Sequence, residues 1–234
     1  MRSGLRFCAL LLGAAALSGA ARADDASATT ATLSSGAPDC PDDTTPHRGV
    51  QGGERVETCL DQTGRPHGIR RTRGDDGAVL SAASYRHGTL HGPSRTWHAN
   101  GRLASEAMFE DGEVHGSSKR WYESGQIAWR GEFRAGEPEG ETVWWYESGR
   151  KRLAGRIRAG ENDGAWRSWW PNGGVRTEIH WVRGTSHGPY RSWHENGRLR
   201  TRGRFENGRR VGPWNHWNDR GEPIEEAPTA APHP

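Results

Sequence analysis

Four histidines, His67, His91, His115 and His187, each stand immediately before a glycine, at positions that keep one common period along the chain. Regularly spaced imidazoles invite a metal reading, because a zinc ion takes His nitrogens at ~2.0–2.1 Å. The same position is held elsewhere by Glu139, Asp163 and Val211, and a valine ligates nothing. If each interval is a pair of β-strands, equivalent residues lie two strand spacings apart, about 9.5 Å. Such a column cannot converge on one ion. It reads as packing, and neither a metal site nor a cofactor is expected.

Other reactive side chains fare no better. Ser94, Ser105, Ser117, Ser168 and Ser192 fall at repeat positions, without a Gly-x-Ser-x-Gly elbow or a distinct base beside any of them. Glu225 and Glu226 lie in a Pro-rich tail, and the glycines match no phosphate-loop pattern because no Gly-Lys-Ser/Thr follows. Cys40 and Cys59 flank a short segment outside the repeats, and in an oxidising compartment such an isolated pair most simply forms a disulfide. A zinc site joining them to His47 or His67 lacks the Cys-x-x-Cys spacing. No catalytic residue is assigned, and the chain does not read as an enzyme.

What remains is a surface. Trp97, Trp121, Trp145, Trp169 and Trp193 recur with the same period, and Arg95, Lys119, Arg167 and Arg191 stand two positions before four of them. Alternation along a strand puts residues i and i+2 on one face, so these nine residues form the candidate binding face. Arg forks hold carboxylates and phosphates bidentately, and arginine stacks on aromatic rings. Acidic protein segments, anionic lipid headgroups and acidic glycans are the partners such a face suits. The bland reading is that the Trp column packs the sheet while the cations keep a narrow structure soluble.

Charge constrains the partner further. Residues 1–23 combine Arg2 and Arg6, the apolar run CALLLGAAALSG and a small-residue ARA end at Ala23, the pattern of a secretory signal cleaved after Ala23. The run is too short for a retained anchor, which needs ~20 apolar residues, and Ala20 stands where a lipoprotein would carry its lipidated cysteine. Removing these residues leaves equal numbers of basic and acidic side chains, so the sequence pI near 9.0 is no argument for nucleic-acid binding. Export points the same way, and no nucleic acid is expected. The distribution is uneven, however: residues 65–221 hold 27 basic and 18 acidic residues, a net of +9, between acidic flanks.

The elements that must position this face follow from the rhythm. Glycines recur at 68, 92, 116, 140, 164, 188 and 212, in step with a second series from 77 to 221 and a third from 88 to 208. Tyr85, Phe109, Phe133, Ile157, Trp181 and Phe205 keep the same phase. The pattern makes seven in-phase units without an insertion between them, the last cut short. Each reads as two strands and two turns, such as GPSRTWH, ANG, RLASEAMFE and DGE, and Gly and Asn interrupt every helical candidate. A three-residue loop at Ala99–Gly101 pairs His98 with Arg102 and sets Trp97 opposite Leu103. A following loop over Glu110–Val114 sets Leu103 against Trp121 as well, continuing one row to Trp217, while Phe109 and Phe133 alternate with His91, His115 and Glu139. Ala107, Gly131, Gly155 and Gly203 leave room for the rings.

Stretches such as HGPSRTWHANGRLASEAMFEDGEVHG and HGSSKRWYESGQIAWRGEFRAGEPEG resemble MORN repeats, closest to the bacterial variant. The resemblance implies an all-β protein, an elongated single-layer antiparallel β-meander of hairpin repeats, serving as an interaction or membrane-associated scaffold. Bacterial members often carry an antitoxin designation, although a cleaved signal would remove this chain from a cytoplasmic toxin. The expected organisation is a signal peptide over 1–23, a flexible linker over 24–38, a Cys-bounded cap segment over 39–66, the array over 67–224 and a disordered Pro-rich tail over 225–234. The expected function is a non-catalytic, exported, periplasmic or extracellular protein-interaction scaffold, antitoxin-like or immunity-like. The alternative is an envelope module that binds anionic lipid or acidic glycan.

Overall fold

The computed structural model describes residues 40–224; the expected signal segment with Ala23, the expected linker and the Pro-rich tail lie outside the described residues. The described chain is all-β, with no helix, and falls into two compact units. Residues 40–137 carry β1 (Thr45–Gln51), β2 (Glu54–Leu60), β3 (Gly68–Arg73), β4 (Val79–Arg86), β5 (Thr89–Trp97), β6 (Leu103–Glu110), β7 (Glu113–Val114), β8 (Gly116–Trp121) and β9 (Ile127–Arg134). Residues 138–224 hold most of β10 (Glu137–Trp145), then β11 (Lys151–Arg158), β12 (Glu161–Trp169), β13 (Val175–Val182), β14 (Thr185–Trp193), β15 (Leu199–Glu206), β16 (Arg209–Trp217) and β17 (Pro223–Ile224). Within each unit successive strands pair antiparallel in an open meander. Cys40 and Cys59 are joined by a disulfide, which in the chain-entropy account contributes about 3 kcal/mol.

The Asn-Gly loop forms as its residues require. His98 N–H bonds to Arg102 O, Gly101 N–H bonds back to His98 O, and Gly101 takes a positive φ of 80°. That is a type I turn closed by a glycine bulge, and it sets Trp97 opposite Leu103. The other turn differs from expectation. Glu110 pairs with Glu113, so the loop is only Asp111–Gly112, with φ of 47° and 91°. Two consecutive positive φ values make a type I′ turn, whose twist matches the flanking strands. His87, Ala135, Ala159, Arg183 and Asn207 hold the same left-handed conformation at equivalent positions.

This shorter loop moves the register. The extra chain is absorbed instead at the His-Gly step, where β6 pairs first with β7 and then, shifted, with β8. Ser105 therefore faces Arg120, and the expected Leu103–Trp121 step is absent from the ladder. Phe109 faces Gly92 rather than His91, and Phe133 faces Gly116 rather than His115. A bulky ring beside a glycine explains the pairing better than a ring beside an imidazole, because the glycine leaves space.

With no second layer among the described residues, burial is thin; among their hydrophobic side chains Cys59, Ala83 and Val143 are covered almost completely. The rings that are buried are Trp129 and Trp166, not the Trp97 column. Gly131, Gly155 and Gly203 lie under Trp129, Trp166 and Trp214, and a Cβ at any of them would fall inside the ring's van der Waals envelope. The ring row in 138–224 continues through Tyr190, Phe205 and Trp214, with centroids 5.0–5.8 Å apart. Beside the rings runs a ladder of hydroxyl pairs, Thr72–Ser81 and Thr96–Ser105 at 2.7 Å and Ser168–Thr177 at 2.5 Å.

Two consequences are measurable by chemical denaturation. Gly155→Ala should lose about 1–3 kcal/mol, the usual cost of overpacking, and Trp166→Ala about 3–5 kcal/mol, each more than Trp169→Ala. Ala159→Asn should gain, and Asn207→Ala lose, about 0.5–1 kcal/mol, since Asn tolerates the left-handed conformation better than Ala.

Candidate interaction surface

One cross-strand row in each unit alternates charge across the ladder. In residues 40–137 the ladder places Arg48 opposite Glu57, Glu57 opposite Arg71, and Arg71 opposite Ala82. Ala82 faces Arg95, Arg95 faces Glu106, Glu106 faces Lys119, and Lys119 faces Arg130. In residues 138–224 the equivalent row is Val143, Ala154, Arg167, Glu178, Arg191, Arg202 and Asn215. Each row contains a cation–Glu–cation–Arg run: Arg95–Glu106–Lys119–Arg130 in one, Arg167–Glu178–Arg191–Arg202 in the other.

The cations of the candidate binding face are therefore partly engaged. Arg95 Nε lies 3.2 Å and Lys119 Nζ 3.6 Å from the Glu106 carboxylate, which is buried. Arg167 pairs with Glu178, and Arg191 approaches the same carboxylate at 3.8 Å. A glutamate buried in a thin sheet needs compensation, and two flanking cations supply it. Sequence reading missed these pairs. The signal was present: each Glu follows its Arg by eleven positions, the distance across one turn.

In residues 138–224 an open groove is lined by Arg167, Trp169, Glu178 and Arg191, together with Lys151 and Ala154. Trp169 and two of the arginines thus share a surface, as alternation requires. Trp97, Trp121, Trp145 and Trp193 stand half-buried at the equivalent strand ends. Their region has a second task. His98 Nε2 lies 2.9 Å from Trp121 O, the Tyr146 hydroxyl donates to Trp169 O, Trp170 Nε1 donates to Trp193 O, and His194 Nε2 lies 2.8 Å from Trp217 O. Each contact reaches one repeat onward, so the Trp column supplies docking carbonyls as well as rings.

Two positions of the histidine column cap turns. Asp111 N–H donates to His91 Nδ1 at 3.4 Å, and Ala159 N–H donates to Glu139 at 2.7 Å. His and Glu serve alike as acceptors at these two positions. Arg86 hydrogen-bonds the Asp111 carboxylate, holding it below the usual carboxylate range.

A family model of the MORN repeat variant matches residues 90–111, 162–183 and 186–207. The chain carries MORN repeats at these three places. No curated protein matches it. The matched segments fall on β5–β6, β12–β13 and β14–β15, with their strands, turns and charged rows as described. MORN repeats are a non-enzymatic type of interaction module, engaging proteins or membranes.

Arg95→Ala should cost about 1–3 kcal/mol, since Glu106 would keep only Lys119 as a partner. Arg202→Ala should stay within about ±0.5 kcal/mol, as exposed substitutions do. Urea midpoints of the two variants check the difference.

Proposed function

We propose that this MORN repeat protein is a non-catalytic scaffold of the bacterial envelope, exported to the periplasm or beyond, whose cationic rows receive an acidic segment of a partner protein. One observation carries the reading: Arg191 stands directly opposite Arg202, both exposed, on strands that pair throughout. Like charges facing each other across a ladder are destabilising. Lys119 also stands opposite Arg130 in the other unit, where both are half-buried and Lys119 is held by Glu106. A surface selected only for solubility gains nothing from such pairs, whereas a carboxylate laid between two cations removes the repulsion and accepts forked hydrogen bonds. An antitoxin-like or immunity-like role fits this chemistry if the partner is itself exported. The signal pattern ending at Ala23 supports that location.

Arg191→Gln with Arg202→Gln tests the reading while leaving Glu178 paired to Arg167. A partner captured from envelope extract and titrated at two salt concentrations should bind the double variant at least threefold more weakly. Wild-type binding should fall as salt rises, because exposed charges are screened. Equal affinities in a folded double variant would overturn the assignment. Binding to anionic vesicles or an acidic glycan, with no protein captured, would move it to the lipid or glycan alternative.

A further inference from the structure

We propose that Asp61, His67 and His87 form a binding site for one divalent transition-metal ion of the zinc or copper class. The three side chains offer ligand atoms that all lie within 4.8 Å of one another. Two imidazoles with one carboxylate are a donor set such ions accept, with nitrogen at ~2.0–2.1 Å and oxygen at ~2.0–2.2 Å. Ligands of a tetrahedral ion stand about 3.4 Å apart by this geometry, so roughly an ångström of closure is needed. His87 is exposed at the tip of a two-residue turn and can supply it.

A second observation points to the same place. His67 Nδ1 is buried and has no hydrogen-bond partner. Its counterparts are satisfied: His91 Nδ1 accepts the Asp111 N–H, and Glu139 accepts the Ala159 N–H. At His67 the corresponding turn residue is His87, whose ring instead lies edge-on at 4.5 Å between centroids. A buried acceptor left empty costs free energy, and a metal ion is one group that would use it.

The surroundings hold the donors in place. Asp61 Oδ1 accepts the Thr63 hydroxyl and the N–H groups of Thr63 and Arg65, which leaves Oδ2 facing His87 Nδ1 at 3.1 Å. These bonds, the Thr63 hydroxyl foremost, keep the carboxylate ionised well below the usual range, and they are the outer-shell contacts that orient a ligand. His67 N–H donates to Cys59 O, so the Cys40–Cys59 bridge anchors the same stretch of chain. A competing cation is Arg65, with Nε 3.6 Å from Oδ2 and donating to the Thr63 hydroxyl at 2.7 Å; its side chain is more than half exposed. Three protein ligands leave a fourth position for water or for a residue of a bound partner.

The test uses the full chain with its disulfide intact and no affinity tag, titrated with Zn²⁺ against a chromophoric chelator. One equivalent should bind. His67→Ala and His87→Asn should each weaken binding at least tenfold, with Asn chosen because it tolerates the left-handed turn. His91→Ala should leave affinity unchanged. No binding by wild type, or equal loss in His91→Ala, would overturn the site. Imidazole NMR of the wild type covers a variant that fails to fold: Zn²⁺ should shift the His67 and His87 rings first, and first shifts at other histidines would count against it.

Discussion

A strand pair without a second layer has little apolar area to bury, so the array depends on how its turns are tied to the preceding repeat. In every two-residue turn from Gly88 to Gly208, the glycine N–H donates to a carbonyl of the repeat before it: Gly112 to Leu90, Gly184 to Asn162, Gly208 to Ser186. The donor is aimed backward because both turn residues take positive φ. Left-handed backbone costs an L-residue ~1–2 kcal/mol, yet Ala135, Ala159 and Arg183 accept it. The bond to the neighbouring repeat is the compensation.

The opposite edge is sewn in the forward direction. Asn100, Asn172 and Asn196 donate to backbone carbonyls of the next repeat, at Glu123, Glu195 and Asp219, and Arg102, Arg150 and Arg198 add further bonds of the same kind. Each of these repeats is thus bonded to its neighbours at both ends of its strands, while hydroxyl pairs and rings over glycines occupy the middle. Stability of this type is a sum over neighbour interfaces. The charged rows belong to the same scheme, since Glu106 and Glu178 each draw cations from two adjacent strands. The proposed recognition surface and the cohesion of the sheet share residues here.

Much of this was legible in the sequence. The constant period marked out the strands, and the glycine ending each Asn-Gly loop implied that turn and the Trp97–Leu103 pairing. The second turn was misjudged because Ala135, Ala159 and Arg183 do not advertise positive φ, which belongs to Gly, Asn and Asp by preference. The error there carried through to the Leu103–Trp121 and Phe109–His91 pairings, since period-two alternation converts a slip into a change of face. The Trp97 column was conspicuous by spacing, yet burial went to Trp129 and Trp166, whose positions lie over glycines. Asp61, His67 and His87 share no sequence interval that suggests convergence; a loop cap, a bulge and a turn tip bring them together.

Amide hydrogen exchange of the full chain, resolved by NMR, addresses the backward-bonded turns directly. Gly112, Gly136, Gly184 and Gly208 sit at turn tips, where exchange is ordinarily fast, but their N–H groups should be protected to the same order as mid-strand amides such as Ile179. Gly53, in the first turn, has no such bond among the described residues and should exchange quickly. Fast exchange at all five glycines would contradict the account, because the repeats would then be held together by their strand ladders alone.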